Sequence, residues 1–362
     1  MEKNLKFKAR LTILLVALLL SLACGSGTPS APVTPTQASQ LAASQLANPN
    51  SQFGIAGLIP RNFPDSFAAD WINLYETLPE TGDLLGTYTA WTDSPETAGQ
   101  IPVVVSTVFA LATRYQFTPL VALSFFRDDP DGGLEPLLSL SDVGDRAKFQ
   151  QVAVAIAEKY TPPFLALGVE VNSYYERGPS DFDNFVSLYA ETYDAIKAIS
   201  PDTKVFTIFQ YERLRGGQFF SGDDQNPAQW EVIDRFKSRL DLAAFTTYPF
   251  LLYASPADLP ADYYTEIAKH TSLPVAFTEI GWPSEPLGPA PDSPYGGSQD
   301  EQVAFARRFF ELTTGLKLSL ALWSFPHDPS GEINPAFLSI SLRHNDGTPK
   351  LALSVWQEMI KR

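Results

Sequence analysis

The stretch Leu273-Pro274-Val275-Ala276-Phe277-Thr278-Glu279-Ile280-Gly281-Trp282-Pro283-Ser284 runs apolar and then meets an acid and a Gly-Trp-Pro turn. Along a strand, alternation sets Val275, Phe277, Glu279 and Gly281 on one face. A second acid holds the same station in Pro163-Phe164-Leu165-Ala166-Leu167-Gly168-Val169-Glu170-Val171-Asn172, where Ala166, Gly168, Glu170 and Asn172 share a face. Two carboxylates at strand ends that face one site can divide the work of a substitution. One gives and later retrieves a proton, while the other bonds to an electrophilic carbon. That division requires the pair to stand about 5–5.5 Å apart. The plainer alternative is an acid buried against a cation, and Arg61, Arg127 and Arg213 are the candidates to pair with Glu170.

An apolar strand followed by a longer amphipathic stretch recurs eight times from Gln52 to Arg362. The predicted strands are 53–59, 83–91, 118–125, 163–172, 204–210, 242–248, 273–281 and 317–325. The predicted helices are 66–76, 102–115, 145–159, 181–199, 227–239, 260–270, 298–314 and 349–361. Strict alternation implies parallel pairing with right-handed crossovers. Roughly 310 residues fit a (β/α)₈ TIM barrel, which takes ~250 with short loops, as one catalytic domain over 52–362. An open doubly wound sheet is the alternative, but the Gly-rich phosphate loop that usually accompanies it is missing. In a barrel the carboxyl ends of the strands form the working face, which makes Glu170 and Glu279 candidates by position as well as by chemistry.

Ahead of the barrel, Lys3, Lys6, Lys8 and Arg10 precede an apolar run from Leu11 to Leu22, which reads as a secretory signal and is short for a membrane span. Ala23-Cys24-Gly25 follows, and the only cysteine of the chain stands in a context that resembles the lipobox of bacterial lipoproteins. Residues 1–24 are therefore expected to be a lipoprotein signal, with Cys24 the lipidated residue; the alternative is a thiol in an uncleaved anchor. Residues 25–51 are rich in Ser, Thr, Pro, Ala and Gln, cannot bury enough surface to fold, and read as a flexible tether. An extracytoplasmic protein anchored to the cell membrane through lipid follows from these readings. The net charge of -15 argues against nucleic acid and against an acidic membrane surface as partners.

Against this frame of strands and helices, several short motifs show a common resemblance. Leu167-Gly168-Val169-Glu170-Val171-Asn172 resembles the fourth-strand motif of the clan of retaining (β/α)₈ glycoside hydrolases. Thr278-Glu279-Ile280-Gly281-Trp282-Pro283-Ser284 is similar to the nucleophile motif of its endo-β-1,3-glucanase family, and Thr247-Tyr248-Pro249-Phe250 to that family's sixth-strand motif. The resemblance implies Glu170 as general acid/base, Glu279 as nucleophile, Tyr248 as the hydroxyl that orients it, and Trp323 as a hydrophobic floor under the sugar. It implies hydrolysis of a β-linked polysaccharide or oligosaccharide, with β-1,3-glucan favoured. One position departs from the pattern: the family's asparagine just before the acid/base, which binds the substrate 2-hydroxyl, is Val169 here. Asn172 is the expected substitute. A carbohydrate-binding surface lipoprotein with weak catalysis and a cell-wall transglycosylase remain the alternatives.

Trp91, Tyr174, Tyr175, Tyr211, Trp282 and Phe325 stand at or after strand ends as candidate sugar-stacking walls, with ordinary packing an equal alternative for each. Trp282 and His327 are the further substrate-binding candidates. Three histidines, His270, His327 and His344, are too scattered for a metal site, and the acidic turn from Asp128 to Gly133 lacks the spaced ligands of a calcium loop. No cofactor and no metal are expected, and the chain is expected to act as a monomer on a carbohydrate.

Overall fold

The computed structural model describes residues 51–128, 134–218, 226–286, 297–331 and 334–361. The signal segment with Cys24, the tether as far as residue 50, and the turn 129–133 lie outside the described residues.

Eight barrel strands follow one another as β1 (Gln52–Ala56), β2 (Leu84–Ala90), β3 (Thr118–Ser124), β4 (Phe164–Leu167), β5 (Lys204–Phe206 and Ile208–Gln210), β6 (Ala243–Thr247), β7 (Val275–Ile280) and β8 (Leu318–Ser324). All neighbours pair in parallel, and β1 joins β8 with Gln52 opposite Leu320 and Ala56 opposite Ser324. The two halves of β5 sit at opposite ends of the strand order, one on β4 and the other on β6. Thr207 is the hinge between them, and both its hydroxyl and the Ile208 N–H donate to the Gly168 carbonyl. The fifth strand thus closes the ring. The architecture is a (β/α)₈ TIM barrel, as the alternation of elements requires.

The outer layer contains α1 (Ala68–Thr77), α2 (Val103–Tyr115), α3 (Val143–Tyr160), α4 (Val171–Arg177), α5 (Pro179–Ile199), α6 (Tyr211–Arg215), α7 (Glu231–Asp234), α8 (Gln299–Leu312) and α9 (Leu351–Ile360). Side-chain caps fix three starts: Asp142 accepts from the Asp145 N–H, Gln210 from the Arg213 N–H and Ser298 from the Glu301 N–H. Two predicted helices shrink. In 227–239 only four residues are α-helical, and 260–270 forms a 3₁₀ segment over Thr265–Lys269. Their N–H groups reach back three residues, as Phe236 does to Ile233 and His270 to Ile267. This tighter winding still buries Val232, Ile233, Phe236 and Ile267, so the barrel wall is covered by a shorter path.

The predicted fourth strand is also cut short. It ends at Leu167, and the chain turns directly into α4. On the β8 side a long connection to α9 is pinned by Lys350, whose buried ammonium donates to Asp328 Oδ1 at 2.7 Å and to the Ser339 carbonyl at 2.8 Å. Gln302 of α8 ties the same connection to the end of β7 by donating to the carbonyls of Trp282 and Ile340.

Candidate active site

Glu279 lies near the end of β7, where pairing with both neighbours slips. The register shifts between Phe277 and Glu279 against β6, and between Phe277 and Ile280 against β8. A bulge of this kind re-aims a side chain. It leaves Glu279 only 7% exposed, at the mouth of the barrel. Tyr248, just past β6, donates its hydroxyl to Glu279 Oε2, and the same hydroxyl meets Ser324 Oγ of β8 at 2.9 Å. Tyr88 of β2 stands on the other flank and donates to the Thr278 carbonyl at 2.6 Å. Burial pushes the Glu279 carboxyl up to about 8, against the pull of the Tyr248 hydroxyl, and the Glu170 charge pushes it the same way as burial. Burial likewise raises both phenols well above the ordinary tyrosine value, so they act as donors.

Glu170 arrives by a different route. After β4 the chain passes through Gly168 at φ 97° and Glu170 itself at φ 50°, and Glu170 becomes the N-cap of α4. A Cβ on Gly168 would meet Val171 Cγ1 at 2.6 Å and the Phe185 ring at 2.9 Å, so only glycine fits the turn. A glutamate in the left-handed region costs on the order of 1 kcal/mol, a strain that marks sites where position matters. Thr246 Oγ1 of β6 donates to Glu170 Oε1 at 2.6 Å. The end of β6 therefore serves both acids, with Thr246 on Glu170 and Tyr248 on Glu279. Of the arginines considered as partners, Arg61 holds Asp70 at 2.5 Å and Arg213 holds Glu176 at 2.7 Å, while the side chain of Arg127 lies outside the described set.

Several expected contacts are corrected. Asn172 is fully buried, and both ends of its amide are spent on Gln210: Oδ1 accepts from the Gln210 N–H at 2.8 Å and Nδ2 donates to its carbonyl at 3.0 Å. It brackets α4 to β5 and, fully buried there, does not face the mouth where a substrate hydroxyl would lie. Trp323 points away from the mouth into the helix layer. Its indole N–H donates to the Ile340 carbonyl at 2.7 Å, and its ring packs on Phe305 and Trp356, because Ser324 rather than Trp323 takes the inward face of β8. Trp282 is fully buried between Phe250 and Phe305. His327 is sealed under the β1 connection, with Nδ1 at 3.0 Å from the Ile59 carbonyl, and burial keeps its pKa below the usual histidine value.

The other aromatic candidates also pack. Trp91 lies against Phe149, Tyr174 against Phe125 and Phe126, and Tyr175 against Phe182. Tyr211 donates to the Tyr263 carbonyl, and Phe325 is buried. The aromatic ring that borders Tyr248 on the solvent side is instead Phe337, half-buried in the β8–α9 connection and edge-on to Tyr248 at 5.0 Å.

Four residues of the site escaped sequence reasoning: Tyr88, Thr246, Phe337 and Glu212. Glu212 carried a readable signal, since it is an acid just past a strand end, as Glu170 and Glu279 are. It is fully buried behind β6 and accepts from Thr247 Oγ1 at 2.6 Å, Gln210 Nε2 at 2.6 Å, Tyr263 Oη at 3.0 Å and the Tyr248 N–H at 3.0 Å. Burial raises its pKa, the donors notwithstanding.

No family model matches the chain, and neither does any curated protein. Solved structures do. A family 39 glycoside hydrolase from Bacteroides cellulosilyticus WH2 superposes with a TM-score of 0.57 at 15% identity, over 84% of this chain and 63% of that one. GH5_18 from Streptomyces cattleya in complex with GlcNAc gives 0.61 at 14% identity, over 86% of this chain and 80% of that one. A Rhizomucor miehei beta-1,3-glucanosyltransferase, an active-site mutant in complex with laminaritriose, gives 0.55 at 14%, over 83% and 96%. At these identities the likeness is one of fold: the neighbours are barrels that handle carbohydrate, and this chain shares their architecture.

Proposed function

We propose that the chain is a retaining glycoside hydrolase acting on a β-linked polysaccharide or oligosaccharide. The observation that carries the reading is the tip of β6, from which Thr246 donates to Glu170 and Tyr248 to Glu279, so that two carboxyl groups converge on one mouth. In the first step Glu170 gives its proton to the departing glycosidic oxygen while a Glu279 oxygen bonds to the anomeric carbon and the C–O bond breaks. In the second, Glu170 as carboxylate takes a proton from water, the water oxygen bonds to the same carbon, and the ester to Glu279 breaks. Tyr248 holds the attacking carboxylate in line. β-1,3-Glucan is the favoured substrate, on the strength of the Thr278 to Ser284 resemblance. The signal-like N-terminus and Cys24 support an extracytoplasmic, lipid-anchored location.

A second reading, a carbohydrate-binding lipoprotein with weak catalysis, is favoured by Val169 and by the burial of the Asn172 amide against Gln210, which together leave the substrate 2-hydroxyl without the family's asparagine. Hydrolysis of β-1,3-, β-1,4- and mixed-linked glucans, β-galactan and β-mannan by the full chain separates the two, with Glu170→Gln and Glu279→Gln alongside. Turnover that vanishes in both variants, with the first product released as the β-anomer, is the expected result. Undiminished turnover in Glu279→Gln removes the assignment, and sugar binding without cleavage on any substrate establishes the second reading.

A further inference from the structure

We infer that Glu212 is the positioning residue that sets both catalytic carboxyl groups at once, by holding the tip of β6 against the end of β5. The inference rests on the glycosidase reading for its kinetic consequence and on geometry for its substance. Three successive residues of β6 and its extension divide the labour. Thr246 and Tyr248 turn toward the mouth and donate to Glu170 and Glu279, while Thr247 turns the other way and donates to Glu212. Glu212 also accepts from the backbone N–H of Tyr248 itself. Any shift of Glu212 therefore moves the strand tip from which both acids are held.

The network continues past Glu212 on the other side. Gln210 donates its amide to Glu212 Oε2, and its backbone N–H and carbonyl are clasped by Asn172, two residues beyond Glu170. A run of hydrogen bonds thus leads from the Glu170 helix through Asn172, Gln210 and Glu212 to Tyr248 and Glu279. The run leads from α4 through the ends of β5 and β6, which lie between the two acids, to β7. Their separation is the quantity a double displacement depends on, and this is the set of contacts that fixes it.

The choice of a carboxylate is informative. It offers about four acceptor positions, and four donors occupy them. Two of those donors, the Tyr248 N–H and the Gln210 amide, have no acceptor capacity at the contacting atom. The other two, Thr247 and Tyr263, are hydroxyls that can turn and accept. Glutamine at 212 can therefore keep its oxygen on Tyr248 and Gln210 and present its NH₂ to the hydroxyls, whereas alanine releases all four partners.

The test uses the full chain as wild type, E212A, E212Q and Y248F. Inactivation by 2,4-dinitrophenyl 2-deoxy-2-fluoro-β-glucoside reads the alignment of Glu279, because that leaving group needs no proton. ¹³Cδ-glutamate NMR titration reads Glu279 directly, with Glu170, Tyr88 and Tyr248 facing it, and needs no turnover. E212A is expected to inactivate about 10²-fold more slowly with Ki within threefold, the size of loss a small misplacement produces. Its Glu279 titration should move upward toward that of Y248F, while E212Q stays within about fivefold of wild type in rate and keeps the wild-type titration. If E212A does not fold, E212D takes its place, since it keeps the charge but withdraws the oxygens by one methylene. A folded E212A or E212D with wild-type rate and titration overturns the inference, as does an E212Q as impaired as E212A. A wild type that the fluoroglucoside does not label counts against the glycosidase reading alone, and the Glu279 titration still decides the part played by Glu212.

Discussion

Glu170 and Glu279 are the same side chain in two opposite settings. Glu279 leaves its strand through a bulge, is almost wholly buried, and is flanked by the phenols of Tyr88 and Tyr248. Glu170 leaves through a left-handed turn, caps a short helix, is half-buried, and takes a hydroxyl from Thr246. Pairs of acids in unlike surroundings are how a site separates its proton donor from its nucleophile. The proposed mechanism needs the proton on Glu170. The surroundings of Glu279 press the other way, because burial and the Glu170 charge raise its pKa to about 8 and hold a proton there at neutral pH. The Glu279 proton leaves only near pH 8. Moving it onto Glu170 is work for the substrate, whose anomeric carbon gains positive charge beside Glu279 as the bond breaks and so favours the carboxylate there.

The strongest way to break this contrast is Glu279→Gln. Loss of the proposed nucleophile should lower turnover by about 10⁴-fold or more, and the same variant should be more stable than wild type at the alkaline end. The Glu279 pKa rises from 4.5 unfolded to about 8 folded, so the folded state holds a proton that the unfolded chain has released. That contribution to stability is whole below about pH 4.5 and is lost as pH climbs through about 8. Melting curves at pH 5 and pH 8.5 should show Glu279→Gln gaining on wild type by a few kcal/mol across that interval. A constant difference would mean that Glu279 is not the strained member of the pair. For the wild type, kcat/KM should fall above pH about 8, as Glu279 loses the proton that the substrate must move onto Glu170.

Next in size come the two β6 donors, which the leaving group separates. Tyr248→Phe removes the hydroxyl from Glu279 and should slow cleavage by about 10- to 100-fold for every leaving group, in line with a hydrogen bond to a charged acceptor. The alkaline limb should also move upward, since the Tyr248 hydroxyl lowers the Glu279 pKa. Thr246→Val removes the hydroxyl from Glu170 at nearly constant shape. It should cost about tenfold on natural glycosides and nothing measurable on dinitrophenyl glycosides, which depart without a proton. Equal effects of both variants on both substrate types would erase the distinction drawn between the acids.

How far the sequence carried these assignments differs between the same two regions. The β7 segment reads more plainly, since an acid that ends a run of fully buried residues has few explanations, but alternation alone misplaces it. Phe277, expected on its face, packs outward on Phe309, and the bulge between the two turns Glu279 to the mouth. The fourth segment misleads by one step. Val169, Glu170 and Val171 look like a continuing strand, but Gly168 at positive φ ends it early, and Glu170 reaches the mouth through a turn that no period-two pattern describes. That same turn swings Asn172 out of line with the substrate and onto Gln210. Glu212 was missed for a related reason. Its place just past a strand end is readable, but its function lies in what Gln210 and three distant donors do around it, and those long-range hydrogen bonds leave no spacing to read.

Trp323 supplies the smallest expected effect and the sharpest boundary between mouth and scaffold. A motif placed it under the sugar, but pleating puts Ser324 inward and turns the indole outward, between Phe305 and Trp356, with its N–H on Ile340. Trp323→Phe keeps an aromatic ring in that layer and removes part of its volume. The Ile340 carbonyl keeps the Gln302 amide as a donor at 3.0 Å. The cost should be about 1–3 kcal/mol of stability, read as a lower melting temperature, with kcat and KM within about twofold of wild type. A sugar floor behaves in the opposite way: its loss raises KM for the polysaccharide many-fold and leaves the melt nearly untouched. A ring that stabilises the barrel without touching the ligand cannot show the second pattern, so this one variant decides on which side of β8 the carbohydrate lies.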